Sequence, residues 1–156
     1  MCGQLVYETR PLMRILKLRN FPIFDQFKLE ELLLRMSADN WCLLNDGTSP
    51  PSIVMGISGK PEKLLEVEKV VKDCVPVIKR FSGGGTVIVD EGTLFVTLIR
   101  SQSVLPRLEL CQTMSWTEQL YHTIFEKVHG FKLQEHDYIF NDSKFGGNAQ
   151  SITKNR

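Results

Sequence analysis

The chain has 156 residues, a formal net charge of +1, 42% hydrophobic and 24% charged residues. That is enough for a single domain over residues 1–156, and the near-neutral balance argues against a nucleic-acid or membrane-surface role. No apolar run approaches the ~18 residues that a membrane span requires.

The N-terminal region carries Arg10, Arg14, Lys17 and Arg19 against Glu8, which fits either a basic leader or a first strand. The alternation of Leu12-Met13-Arg14-Ile15-Leu16-Lys17-Leu18 favours a strand. Asn20 and Pro22 then predict a helix start, and Ile23, Phe27, Leu29, Leu33 and Met36 give a broad apolar face. Trp41–Leu44 and Ser52–Ile57 read as strands around the turn-rich 45–51 segment. Pro61 opens a second helix, with Leu64, Val67, Val71 and Cys74 on one face.

Val75–Arg80 is a short strand leading into Gly83-Gly84-Gly85. Thr86–Asp90 and Thr93–Arg100 then predict a hairpin across Glu91-Gly92. Ser115 and Glu118 have the spacing of a capping box opening a third helix, which ends near Gly130. Phe131–Gln134 and Tyr138–Phe140 read as strands, with Asn141-Asp142-Ser143 turning the chain into Lys144. These elements predict an α+β fold: a mixed, mainly antiparallel sheet flanked by helices, with hairpins in place of regular βαβ units.

Cys2, Cys42, Cys74 and Cys111 form no CxxC and have no close histidine, so reduced, mostly buried thiols of an intracellular protein are expected. The compartment, cytoplasmic or mitochondrial, stays open. His122, His129 and His136 are acid–base candidates by type, but no carboxylate is spaced to orient them, and surface roles are expected.

Two constellations carry chemistry. Arg80-Phe81-Ser82-Gly83-Gly84-Gly85-Thr86-Val87-Ile88-Val89-Asp90 places three glycines between a cation and a β-branched run. It lacks the Gly-Lys-Ser/Thr of a P-loop and the GxGxxG of a dinucleotide fingerprint. It reads either as a bulge or as main chain laid against a phosphate-bearing or acyl ligand. In Lys144-Phe145-Gly146-Gly147-Asn148-Ala149-Gln150, the lysine follows a tight turn and precedes slim backbone, which suits an ammonium aimed at a carboxylate or phosphate. A solvated hairpin lysine is the alternative.

Together these residues resemble the lipoate–protein ligase A family, within the biotin/lipoate ligase superfamily. Arg80, Ser82, Gly83–Gly85, Thr86, Val87 and Asp90 match its glycine motif in register, and Lys144–Ala149 match its lysine motif. The likeness covers roughly residues 20–154.

The resemblance implies the biotin/lipoate ligase catalytic fold and an ATP-dependent enzyme that makes lipoyl-adenylate. It then passes the lipoyl group to a lysine of an acceptor, either a lipoyl domain of a 2-oxoacid dehydrogenase complex or the glycine-cleavage H protein. Lys144 would hold the carboxylate and α-phosphate. Arg80, Ser82, Gly83, Gly84, Gly85, Thr86, Val87 and Ile88 would line the adenylate pocket with Gly147, Asn148 and Ala149. ATP and lipoate are the implied substrates, with Mg²⁺ accompanying ATP.

The sequence departs from the family at Val89, where histidine is usual, and at Thr93, where asparagine is usual. It also stops before the family's later strand, so an incomplete catalytic domain is expected. Two other functions stay open: a lipoyl or octanoyl transferase using a preformed donor, and a truncated, non-catalytic binding module. Lys132 stands where related transferases carry their cysteine, which favours the ligase.

Overall fold

The structure, a computed structural model, describes residues 12–100 and 110–152. Strand β1 (Met13–Arg19), helix α1 (Ile23–Met36) and strand β2 (Asn40–Asp46) form a parallel crossover, Met13 lying opposite Asn40 and Arg19 opposite Asp46. Strand β3 (Ser52–Met55) is followed by short helices α2 (Pro61–Leu64) and α3 (Val67–Lys72) and then by strand β4 (Val77–Lys79). Strands β5 (Val87–Val89) and β6 (Leu94–Ile99) come next, then helix α4 (Leu110–Ile124) and strands β7 (Phe131–Gln134), β8 (Asp137–Phe140) and β9 (Ser143–Gly147). The described residues form three three-stranded sheets, ordered β1-β2-β6, β4-β3-β5 and β7-β8-β9.

The mixed, mainly antiparallel character follows from four antiparallel ladders, β2–β6, β3–β5, β7–β8 and β8–β9. Two local expectations fail. The chain does use crossovers, since β1 runs parallel to β2 and β3 parallel to β4. The β5–β6 hairpin does not form: β5 pairs with β3 and β6 with β2, so the chain changes sheet within Asp90–Thr93. That connection is tight, with Asp90 Oδ1 accepting from Gly92 N–H at 2.9 Å. Gly47 N–H donates to Thr93 O and Thr48 N–H to Asp90 O, pinning it from the side.

The helices also differ from expectation. Pro22 takes the N-cap position of α1, while Asn20 adopts a left-handed φ of 50° and donates its N–H to Asp46 O. The predicted second helix breaks into α2 and α3, and Leu64, Val67 and Val71 stay exposed, since among the described residues neither short helix packs extensively on a strand. Glu118 falls inside α4, not in its first turn, and accepts from Leu133 N–H at 2.9 Å, so its carboxylate ties the helix to β7. Cys74 is exposed and Cys42 half-buried, against the expected burial; Cys2 and the side chain of Cys111 lie outside what is described.

Helix α1 holds the first two sheets together. Ile23, Val54 and Val89 form a buried cluster joined by Phe27, Ile78 and Phe95, which places residues of α1, β3, β4, β5 and β6 in one core. Beside it runs a buried polar chain. Asn45 Nδ2 donates to Gln26 Oε1 at 2.8 Å, Gln26 Nε2 to Glu30 Oε1 at 2.7 Å, and Thr97 Oγ1 to the same oxygen at 2.6 Å. Glu30 is 7% exposed, and burial pushes its pKa above the ordinary value, with the bonds from Thr97 and Gln26 opposing. The third sheet packs on α4 through Tyr121, Phe125, Phe131, Tyr138, Phe140 and Phe145, with Phe140 stacked on Phe145 at 4.3 Å.

A raised folded-state pKa for Glu30 means the folded protein binds the proton more tightly than the unfolded chain. That stability is complete below the unfolded pKa and is lost as pH rises through the folded one. Glu30→Gln keeps the shape and removes the titration. The free energy of unfolding of the variant minus that of wild type is therefore expected to grow in urea melts as pH rises above the ordinary glutamate pKa, about 4. A flat difference over that range would rule the effect out.

Candidate functional site

The glycine segment lies across the end of β3. Arg80 N–H donates to Met55 O at 2.9 Å, Ile57 N–H to Ser82 O at 3.0 Å and Gly56 N–H to Gly85 O at 3.2 Å. Arg80 then closes the loop on itself: Nε donates to Gly83 O at 2.9 Å and Nη2 to Gly85 O at 3.0 Å. The guanidinium is buried, with Arg80 7% exposed, and burial lowers its pKa from the ordinary arginine value. Arginine still keeps its charge at neutral pH.

These bonds turn the loop's carbonyls inward. The N–H groups of Ser82, Gly83, Gly84, Gly85 and Thr86 donate to no protein acceptor among the described residues. A row of free main-chain N–H groups backed by a buried cation is a surface suited to an anion.

Close approach explains two of the glycines. A Cβ on Gly56 would collide with the carbonyl oxygen of Gly84, and one on Gly84 would collide with Arg80 Nη2. Gly84 also has a φ of +103°, in the region that favours glycine. Gly83 and Gly85 differ, since a Cβ there meets nothing within 4 Å.

The loop forms one wall of a cleft of about 740 Å³, with Gly84, Gly85, Thr86, Val87 and Ile88 on that side. The facing wall is the segment after β3, Ser58–Lys60, continued by Lys63–Leu65. The hydroxyl of Thr86 is buried and has no partner among the described residues. Of the residues expected at a pocket, Gly84–Ile88 line this cleft, whereas Arg80, Ser82 and Gly83 support it from behind or beside.

The lysine motif occupies β9 and the residues after it. Lys144 lies opposite Ile139 and so shares a face with Asp137, two residues along β8. Its Nζ pairs with Asp137 Oδ2 at 2.8 Å across a register shift in the β8–β9 ladder. Both partners are well exposed (56% and 40%), so the pair is worth about 0–1 kcal/mol and gives way easily to a stronger anion.

Gly147 leaves room for that ammonium, 3.7 Å from where a Cβ would stand. Asn148 joins the β7–β8 turn, its Nδ2 donating to His136 O at 3.1 Å and its Oδ1 lying 3.1 Å from the Tyr138 hydroxyl. Ala149 brings the two motifs together, with its Cβ 3.5 Å from the place a Gly84 Cβ would occupy. Lys144, Gly147, Asn148 and Ala149 do not line the glycine-loop cleft itself. His122, His129 and His136 are exposed, and His122 rests edge-on against Phe131.

Sequence reasoning passed over Gly56, Gly59, Lys60 and Lys63, which shape the facing wall. The spacing Gly56-Ile57-Ser58-Gly59 directly after a strand was the available signal for a tight approach there. Asp137 was also passed over, since nothing local marks it as the partner of Lys144.

The sequence profile of the lipoyl protein ligase A/B catalytic domain matches residues 22–156. The chain belongs to this family. It is 24% identical over 200 residues to a Plasmodium falciparum protein named inactive lipoate–protein ligase 2, covering 86% of this chain and 50% of that one. It is 31% identical over 137 residues to a putative lipoate-protein ligase A of Schizosaccharomyces pombe, covering 86% and 36%. The chain thus spans half or less of the length of these relatives.

Its fold matches a putative lipoate protein ligase of Thermoplasma acidophilum with bound lipoic acid, at TM-score 0.77 and 16% identity over 91% of this chain and 64% of that one. It matches a lipoate-protein ligase A bound with ATP at TM-score 0.73 and 18% identity, over 91% and 62%. A bipartite lipoate protein ligase of Thermoplasma acidophilum, described with its E2 lipoyl domain, matches at 0.76 and 17%, over 91% and 57%.

The crossing of β3 and the loop predicts an asymmetry among the glycines. Gly56→Ala should cost about 1–3 kcal/mol, because its Cβ must displace main chain. Gly83→Ala should fall within about 0.5 kcal/mol of wild type. Urea denaturation of both variants measures the difference; equal costs would contradict the loop's placement.

Proposed function

We propose that this chain belongs to the catalytic domain of an ATP-dependent lipoate–protein ligase, which activates lipoate as lipoyl-adenylate and passes the lipoyl group to a lysine of an acceptor lipoyl domain. The observation behind this reading is the glycine loop: carbonyls bound inward by Arg80 and Gly56, N–H groups free, and a cleft along its outer side. Such a wall suits a phosphate ester held close to main chain, and the family includes proteins described with lipoate and with ATP bound.

In the first step a lipoate carboxylate oxygen attacks the α-phosphorus of ATP. The bond from that phosphorus to the bridging oxygen of the β-phosphate breaks, and pyrophosphate leaves with the electron pair. Lys144 leaves its weak pair with Asp137 and sets its ammonium on the carboxylate and α-phosphate, where negative charge gathers in the transition state.

Arg80 acts as a positioning residue, holding the loop so that its donors face the nucleotide. Mg²⁺ would enter as the counterion of the nucleotide's phosphates. Among the described residues no three histidine, cysteine or carboxylate side chains converge to cage a metal. In the second step a neutral lysine amine of an acceptor lipoyl domain attacks the acyl carbon. AMP leaves, and the amine gives up a proton to form the amide. The likeness to a ligase described with its E2 lipoyl domain supports that class of acceptor.

A second reading is favoured by one observation: a relative covering 86% of this chain is named inactive. On that reading the chain binds lipoate or the acceptor without turning over. The two readings separate in a lipoate-dependent ATP–pyrophosphate exchange assay. The ligase reading expects exchange by the wild-type chain and a loss of about 10²-fold or more in Lys144→Ala. Lipoate binding without any exchange by the wild type would select the non-catalytic module.

Gly85→Ala provides an independent check on the cleft. Its methyl enters open space beside the loop, so stability should stay within about 0.5 kcal/mol of wild type while ATP binding weakens. Unchanged ATP affinity in that variant would move the nucleotide elsewhere.

A further inference from the structure

The two cations that the sequence motifs supply are both already engaged. Arg80 is spent on the carbonyls of Gly83 and Gly85, and Lys144 on Asp137. Two other cations stand in the cleft. Lys60 and Lys63 line the wall facing the glycine loop, and neither makes an ion pair or side-chain hydrogen bond among the described residues.

Their placement follows from the same contacts that build the loop. Gly59 N–H donates to Gly56 O at 2.9 Å, turning the chain immediately after the point where Gly56 passes under Gly84. Lys63 N–H then donates to Lys60 O at 3.0 Å, so the two lysines sit three residues apart on one turn. Among the described residues neither lysine forms an ion pair with the nearby acids: Glu66 pairs with Lys69, and Glu62 is not a lining residue of the cleft.

We propose that Lys60 and Lys63 form the subsite for the terminal phosphates of the nucleoside triphosphate, and so for the pyrophosphate that leaves. This rests on the ligase reading above and assigns the facing wall of the same cleft. A single carboxylate needs one cation, whereas β- and γ-phosphates carry several charges and need several. Two flexible lysine stems opposite a row of free N–H groups supply charge from one side and directed donors from the other. The apolar lining from Leu64, Leu65, Val87 and Ile88 leaves the lysines as the charged side chains on that cleft. Because neither is tied to a protein carboxylate, the subsite needs no internal pair to be broken before phosphate enters.

The test is binding to the 156-residue chain, measured by calorimetry with ATP, inorganic pyrophosphate and lipoate as separate probes. Lys60→Ala/Lys63→Ala should weaken ATP and pyrophosphate about tenfold or more, flatten the salt dependence of both, and leave lipoate unchanged. Lys60→Arg/Lys63→Arg should restore the phosphate probes, and Lys28→Ala, which lies on α1, should change nothing. Matching thermal melts show that all variants are folded. Loss of lipoate with ATP retained would assign the lysines to the acyl carboxylate and overturn the proposal. Wild-type affinity for every probe in the alanine variant would overturn it while the ligase reading stands. A wild-type chain that binds neither ATP nor lipoate would overturn both.

Discussion

The buried guanidinium of Arg80 is the constraint around which the candidate site is built. A cation removed from water has to be satisfied by protein dipoles, and here the carbonyls of Gly83 and Gly85 do so at 2.9 and 3.0 Å. Meeting that demand holds the oxygens of Gly83 and Gly85 on the guanidinium, while the N–H groups of residues 82–86 donate to no acceptor among the described residues. It also brings the guanidinium so close to Gly84 that no side chain fits there, and draws the loop onto Gly56 at the end of β3. The cleft wall, its sign and its slimness are therefore one electrostatic solution. A lysine in place of Arg80 would offer a point charge without the planar fork that spans two carbonyls.

The scaffold beneath this loop is held by α1 in two different ways. Ile23 and Phe27 join the apolar core with β3, β4, β5 and β6, a contact without directional demands. Gln26 and Glu30 join Asn45 and Thr97 by hydrogen bonds, which fix the rotation of the helix against the first sheet. A helix carrying both can neither slide nor turn without unpairing a buried polar atom. The third sheet is built differently, from a cluster of rings on α4, β7, β8 and β9. It meets the loop where Ala149 reaches Gly84.

The sequence was most legible where structure is local. The β7–β8–β9 meander follows from strand patterning and the turn at Asn141-Asp142-Ser143, since its pairings involve neighbours in the chain. The parallel pairings of β1 with β2 and β3 with β4 were not legible, because no short-range pattern says which distant strand lies alongside. The β5–β6 hairpin was misread for a related reason: a good turn was present, but the flanking strands found better partners in β3 and β2. Glu118 has capping spacing yet serves Leu133, a tertiary use that spacing alone cannot reveal.

At the site, the glycine and lysine motifs were readable as residues. The direction in which each side chain spends its hydrogen bonds was not. Arg80 turning onto Gly83 and Gly85, and Lys144 meeting Asp137 across a register shift, use partners close in the chain whose backbone geometry the residue types do not announce. The positioning of Lys60 and Lys63 across the cleft depends instead on a distant segment.

The connection between β5 and β6 has a mechanical meaning. Four residues, Asp90–Thr93, carry the chain from the sheet that forms the cleft wall into the sheet that holds α1, and Gly47 and Thr48 clamp them. Such a short, pinned link leaves no slack between the two sheets. Val87–Val89 and Leu94–Ile99 are thus tied to each other through four residues although they pair in different sheets. The cleft wall is in this way tethered to the helix-bearing sheet, even though its own strand is three residues long.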